Sequence, residues 1–178
     1  VEWLIKQNKG KMYLLGSDYV FPRTANEIIK AQLAAQKGTL AGEEYTPLGH
    51  TDYATVINKI SSAKPDVVFN TLNGDSNVAF FKQLKDAGLS ADKMPTLSVS
   101  IAEEEVRGIG PDIMAGHWAS WNYYQTTDTP ENKKFVEAFQ KANKNMRPNF
   151  MAVGGYDGMR VIYEALKKTG GKGDGDAL

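Results

Sequence analysis

The sequence predicts an α/β protein organised around a parallel β-sheet, and three features carry that prediction. Met12–Leu15, Pro65–Leu72 and Thr96–Ser100 are short runs rich in apolar and β-branched residues, the pattern of strands covered on both faces. Each run ends in a break bearing glycine, asparagine or serine. After each break, apolar residues recur at helical spacing. Strands alternating with helices of this length form right-handed βαβ units.

Taken in order, the chain starts inside a helical pattern at Val1–Ile5, and the first strand, Met12–Leu15, breaks at Gly16. Pro22 and Arg23 open a helix with Ala25, Ile28, Ile29 and Leu33 at helical spacing, and Gly38 is expected to close it. Leu40–Pro47 is a more polar strand ended by proline, which places it near a sheet edge. Thr51 and Asp52 are suitable N-caps for a helix carrying Tyr53, Val56, Ile57 and Ile60 on one face. The break at 73–76 leads into a helix with Val78, Phe81 and Leu84 inward and Gly88 as its stop. A short acidic helix is expected over Ala102–Val106. Gly116–Tyr124 is aromatic-rich and reads as extended. Pro130 starts a helix with Phe135, Ala138, Phe139 and Ala142 on one face. A last helix aligns Ala152, Tyr156, Met159, Tyr163 and Leu166. Gly170–Gly175 reads as a flexible turn or linker, after which Asp176–Leu178 would begin another helix. The chain reads as cut at both ends.

Composition narrows the function classes. Lys+Arg and Asp+Glu both number 21, so no net field draws the chain to nucleic acid or acidic lipid. No apolar run approaches the roughly 20 residues of a membrane-spanning helix. Without cysteine there is no disulfide, thiol nucleophile or thiolate metal site. A missing secretory leader decides nothing, because a mature or excised segment would look the same.

In open parallel sheets, ligands sit outside the carboxyl ends of the strands. Three loops are delivered there. The first offers Ser17, Asp18, Tyr19 and Phe21, the second Asn73 and Gly74, and the third Ser98, Ser100 and Glu103. Hydroxyls, an amide, carboxylates and two rings suit a small neutral or zwitterionic ligand. The competing reading is helix capping, since Asp18, Asp75 and Glu103 all lie where a helix N-terminus favours negative charge. Glu103–Glu105 point in different directions on a helix and read as a solvated first turn, not a metal site. His50 reads as a surface residue and His117 as a packed one, neither with metal spacing or a Ser/Asp arrangement. Gly108–Pro111 is no dinucleotide fingerprint, and no phosphate loop, nucleophile elbow or zinc-peptidase helix occurs. Asp18 at a strand end is reminiscent of a receiver-domain phospho-acceptor, but the acidic pair and lysine that go with it have no place here.

Four motifs carry a resemblance to a known family: Gly16–Arg23, Pro47–Asp52, Phe69–Asn77 and Ser98–Glu105. From about Met12 to Phe139 the chain resembles the urea and short-chain amide solute-binding proteins of ABC transporters. Amide-sensing regulators and branched-chain amino-acid receptors are relatives of the same type I periplasmic binding fold. The resemblance implies two lobes closing on a ligand. Residues 1–115 would be the second, C-terminal lobe, 116–124 a hinge crossover, and 125–178 a truncated part of the first lobe. By position, Tyr19 and Phe21 match the aromatic pair flanking the ligand, although the amide-sensing branch tends to carry tyrosine at Phe21. The Asn73–Gly74 turn and the Ser98–Glu103 loop match the other cleft-facing loops. From about Lys141, and especially at Ala152–Gly158, the text is closer to the branched-chain amino-acid receptors.

The implied function is therefore an extracytoplasmic, non-enzymatic binding component of an ABC uptake system, taking urea or a small amide. An amino-acid binder or an amide-sensing module is the alternative. No cofactor or metal is expected. The partners would be permease subunits, and the location the periplasm or a lipid anchor outside a single-membrane bacterium. The apolar stripe of Ala152–Leu166 is expected to pack against something, a second copy being one option.

Overall fold

The computed structural model describes residues 1–176, so Ala177 and Leu178, within the last expected helix start, lie outside the described residues. The chain divides into two compact units, Val1–Trp121 and the part from Asn122 onward. The first unit runs α1 (Glu2–Lys6), β1 (Lys11–Ser17), α2 (Val20–Ala35), β2 (Thr39–Thr46), α3 (Ala54–Ala63), β3 (Val67–Thr71), α4 (Ser76–Asp86), β4 (Thr96–Ser98), α5 (Glu103–Ile109), α6 (Pro111–Met114) and β5 (Trp118–Ala119). Its five strands form one sheet in the order β2-β1-β3-β4-β5, every neighbouring pair parallel. This is the predicted α/β architecture.

Side-chain alternation divides the core between the two faces of the sheet. Tyr13 and Leu15 of β1 and Val68 of β3 join Tyr53, Ile57, Ile60, Phe80, Phe81 and Leu84 on one face. Met12 and Leu14, with Val67 and Phe69, join Leu4, Ile29 and Leu33 on the other. Central β3 is buried along its whole length, whereas β2, at the sheet edge, is largely half-buried. That is why the first opens on an unbroken apolar run, Val67–Phe69, and the second does not.

Several boundaries depart from the sequence expectation for physical reasons. β1 does not break at Gly16 but continues through it, pairing Gly16 with Tyr45 on one side and Thr71 on the other. A Cβ there would lie 2.6 Å from Thr71 Oγ1 and 2.9 Å from Pro22 Cβ, so close approach, not chain reversal, demands glycine. α2 starts at Val20, leaving Pro22 in the first turn, where its missing N–H is not needed. Its end is closed by Lys37 in the left-handed region (φ 58°), with Lys37 N–H donating to Ala34 O and Gly38 N–H to Leu33 O. Gly38 instead gives room to Leu33, whose Cδ1 would lie 2.2 Å from an added Cβ. Gly88 does close α4, with φ 72°. Phe80 faces inward with Phe81 and Leu84, while Val78 is only half-buried.

The extended reading of Gly116–Tyr124 shrinks to the two residues of β5. Its neighbour β4 ends at Ser98, whose carbonyl accepts from Ser120 N–H at 2.9 Å just past β5.

The second unit contains α7 (Pro130–Ala142) and α8 (Phe150–Lys168). Both are capped by side chains: Thr129 accepts from Asn132 N and Asn149 from Ala152 N. Phe135 packs against Phe139 and Tyr156, with ring centroids 6.0 and 5.0 Å apart. Neither helix contains a buried residue. Ala138 and Ala142 are exposed, contrary to the predicted face, and Met151, Met159, Ile162 and Tyr163 of α8 lie open.

Candidate functional site: the carboxyl edge of the sheet

Where strands end, the ladder stops supplying hydrogen bonds, and backbone groups that stay buried need other partners. At the carboxyl edge of β1, β3 and β4 those partners are polar side chains. Ser17, Asn26, Asn70, Thr71, Asn77 and Ser98 are fully buried and Ser100 nearly so. Asn70 Nδ2 donates to Asn77 Oδ1 (2.8 Å) and Ser98 Oγ (2.9 Å), while Asn70 Oδ1 accepts from Leu72 N (2.9 Å). Asn77 Nδ2 donates to Leu72 O at 3.0 Å, and the Ser100 hydroxyl donates to the same oxygen. Asn73 N donates to Ser17 Oγ at 3.0 Å. The Thr71 hydroxyl reaches Leu15 O and Asn26 Oδ1, both at 3.2 Å.

These bonds join the three predicted loops. Ser17 ties the first to the second, and Ser100 ties the third to the second. The hydroxyls of Ser17, Ser98 and Ser100 thus face internal partners. Asp18, Phe21 and Gly74 are exposed, and Tyr19, Asn73 and Glu103 are half-buried. Tyr19 and Phe21 stand together, ring centroids 6.3 Å apart at 42°. Asn73 Nδ2 folds back onto Thr71 O at 3.1 Å.

Asp18 is paired with Arg23, whose Nε lies 2.7 Å from Oδ1. That hydrogen bond holds the Asp18 carboxyl below the usual carboxylate range. The Arg23 guanidinium in turn lies over the Tyr45 ring, 4.3 Å from its centroid. Helix capping therefore does not account for Asp18, nor for Asp75, which makes no side-chain cap bond. In the third loop it is Glu105 that caps, accepting from Ala102 N at 2.9 Å.

The histidines stand apart from this edge chemistry. His117 Nδ1 accepts from Thr96 N at 3.1 Å, its ring packs edge-on to Phe81, and burial pushes its pKa down to about 4. His50 Nε2 lies 2.6 Å from Asp52 O. Among the described residues no group of three or more His, Asp or Glu is placed to hold a metal ion.

Asn26, Arg23, Tyr45, Asn70, Thr71 and Asn77 belong to this edge but are not among the site residues that sequence reasoning names. A signal existed for Asn70, an amide inside the apolar run Val67–Leu72, since a polar group in a buried strand has to be hydrogen-bonded. Its partners, on α4 and β4, are not visible in the run itself.

A family model described as periplasmic binding protein domain matches residues 1–177. The chain is 30% identical over 168 residues to Leu/Ile/Val-binding protein homolog 6 of Brucella melitensis, covering 92% of this chain and 43% of that protein. A solute-binding protein of an ABC transporter from Rhodopseudomonas palustris BisB5, solved with 3,4-dihydroxybenzoic acid, is 31% identical with a TM-score of 0.77, covering 98% of this chain and 48% of that one. An ABC transporter substrate-binding protein from Sphaerobacter thermophilus is 25% identical with a TM-score of 0.86, covering 99% and 49%. The chain thus spans less than half the length of each of these relatives, which are named as binding proteins and not as enzymes. With its parallel-sheet fold and this match in agreement, the chain belongs to the periplasmic binding protein family.

Proposed function

We propose that the carboxyl edge of the sheet is one wall of a solute site in an extracytoplasmic binding component of an ABC uptake system, and that the solute is urea or a small amide. The observation that carries this reading is the outward set of Asp18, Tyr19, Phe21, Asn73, Gly74 and Glu103 above a buried polar layer. The rings of Tyr19 and Phe21 suit a small planar group. Asp18, Asn73 and Glu103 carry oxygen acceptors for N–H donors. Residues 1–115 would form the second lobe, 116–124 the crossover and 125–178 part of the other lobe. Its permease would be the transport partner, and the periplasm its location. Among the described residues no helix is long and apolar enough to cross a membrane.

An amino-acid ligand is the second reading, favoured by the similarity to a Leu/Ile/Val-binding protein homolog. In that case Glu103 would take the ammonium group. Calorimetry on the two-lobe protein with urea, acetamide, leucine and glutamate separates the two. Micromolar binding of urea or acetamide is expected, and micromolar leucine binding without urea would replace the ligand assignment. The 178-residue chain alone should give no micromolar binding heat, because one wall cannot bury a small ligand.

A further inference from the structure

The polar layer under the edge does more than satisfy buried groups. Leu72 is fully buried, and it lies just past the end of β3. Both of its peptide groups are held by side chains. Its N–H is taken by Asn70 Oδ1, and its C=O accepts from Asn77 Nδ2 and from the Ser100 hydroxyl. The next N–H, of Asn73, is taken by Ser17 Oγ. β1, β3, α4 and the loop after β4 therefore grip two consecutive residues. Asn70 and Asn77 also bond each other, so the grip closes on itself.

The consequence falls on Asn73. With its backbone fixed, its side-chain Nδ2 donates to Thr71 O, which settles which end of the amide faces inward. Among the described residues Asn73 Oδ1 makes no hydrogen bond, and the residue is half-exposed. An acceptor is therefore preset at the edge, next to Gly74, which turns with φ 61°. Pre-ordering such a group avoids ordering it when ligand arrives.

We infer that Asn70 and Asn77 are positioning residues that clamp Leu72 and so present Asn73 Oδ1 as a fixed acceptor for an N–H-bearing ligand, in preference to a bare carboxylate. This rests on the reading of the edge as a solute wall.

The test uses the 15N-labelled chain, its Asn77→Ala variant and the milder Ser100→Ala, with acetamide and acetate as probes. Amide exchange reads the clamp. In Asn77→Ala the Leu72 and Asn73 amides should exchange at least tenfold faster, with a smaller increase in Ser100→Ala and none at Met12–Leu15. Unchanged exchange at Leu72 and Asn73 in both variants, or acceleration spread evenly over the sheet, overturns the clamp. Chemical-shift titration to high millimolar concentration reads the edge. Acetamide should shift Asn73 and Gly74 more strongly than acetate does, and Asn77→Ala should lower that preference several-fold while the Tyr19 and Phe21 shifts persist. Equal responses to acetamide and acetate in the parent chain overturn the acceptor role. Silence of both probes in the parent chain, with the exchange result as expected, overturns the solute-wall reading and the positioning role with it, leaving only a structural clamp.

Discussion

The two units use their apolar residues in opposite ways. In Val1–Trp121 the buried apolar core extends from Leu4 to Met114 over both faces of the sheet. In α7 and α8 no residue is buried, and Met151, Met159, Ile162 and Tyr163 stand open. Two capped helices with a few ring contacts remove little apolar surface from water, and burial is the main favourable term in folding. The stability of the first unit is therefore set by its own packing. The second unit draws its order from caps and local ring pairs.

The sharpest way to break this comparison is to truncate one large side chain in each unit. Phe80 is fully buried between Tyr53 and Phe81, with ring centroids at 5.5 and 5.2 Å. Phe80→Ala should cost about 3–5 kcal/mol in urea-induced unfolding. Met159→Ala, at 65% exposure, should stay within about 0.5 kcal/mol. Comparable losses at both positions would mean that α8 is packed in solution after all.

Gly16 sharpens the comparison from the side of overpacking. An added methyl meets Thr71 Oγ1 and Pro22 Cβ below 3.0 Å. The threonine hydroxyl is held by Leu15 O and Asn26, and the proline ring is rigid, so neither gives way cheaply. Gly16→Ala should cost about 1–3 kcal/mol by the same denaturation assay, with the strain centred on the edge that carries Ser17 and Asp18. A neutral result would show that β1 and α2 can part there.

Acid should weaken the first unit through His117. Its pKa is about 4 in the folded chain, against roughly 6.5 in an unfolded one. Between those values the unfolded chain holds a proton that the native ring does not. This stabilisation is full above pH 6.5 and is lost as pH falls towards 4. Because the ring is partly solvated, the expected loss is on the order of 1–2 kcal/mol. His117→Asn keeps an acceptor near Thr96 N and should flatten the pH 4–6.5 slope of unfolding free energy; an unchanged slope would place the acid-sensitive group elsewhere.

How much of this was legible in the sequence depends on whether the cause is local. β3 is buried on both faces and announces itself in Val67–Phe69, and β2 is more polar because it is an edge. Gly88 closes a helix through its own φ, so the residue type suffices. Gly16 looks identical in sequence, yet its reason is Thr71, 55 positions away. The three edge loops could be placed by topology. The direction of a hydroxyl could not: Ser17, Ser98 and Ser100 turn to partners on other segments. Asn77 closes a network with Asn70 and Leu72 across the β3–α4 turn, a geometry that no spacing rule encodes.

The smallest expected effect has the opposite sign and probes the open unit directly. Gly154, Gly155 and Gly158 lie within α8, and an added Cβ at any of them meets nothing within 4 Å. Glycine inside a helix costs roughly 0.5–1 kcal/mol relative to alanine, because the unfolded backbone loses more freedom. Gly158→Ala should therefore stabilise α8 by about that amount, read as slower amide exchange along the helix and a modest gain in helical circular dichroism. Gly16→Ala and Gly158→Ala thus make the same chemical change with opposite outcomes, one where the backbone is crowded and one where it is bare. If Gly158→Ala instead destabilised the helix, some surface must approach that backbone closely in solution, and the contrast between a self-packed unit and an open one would fail.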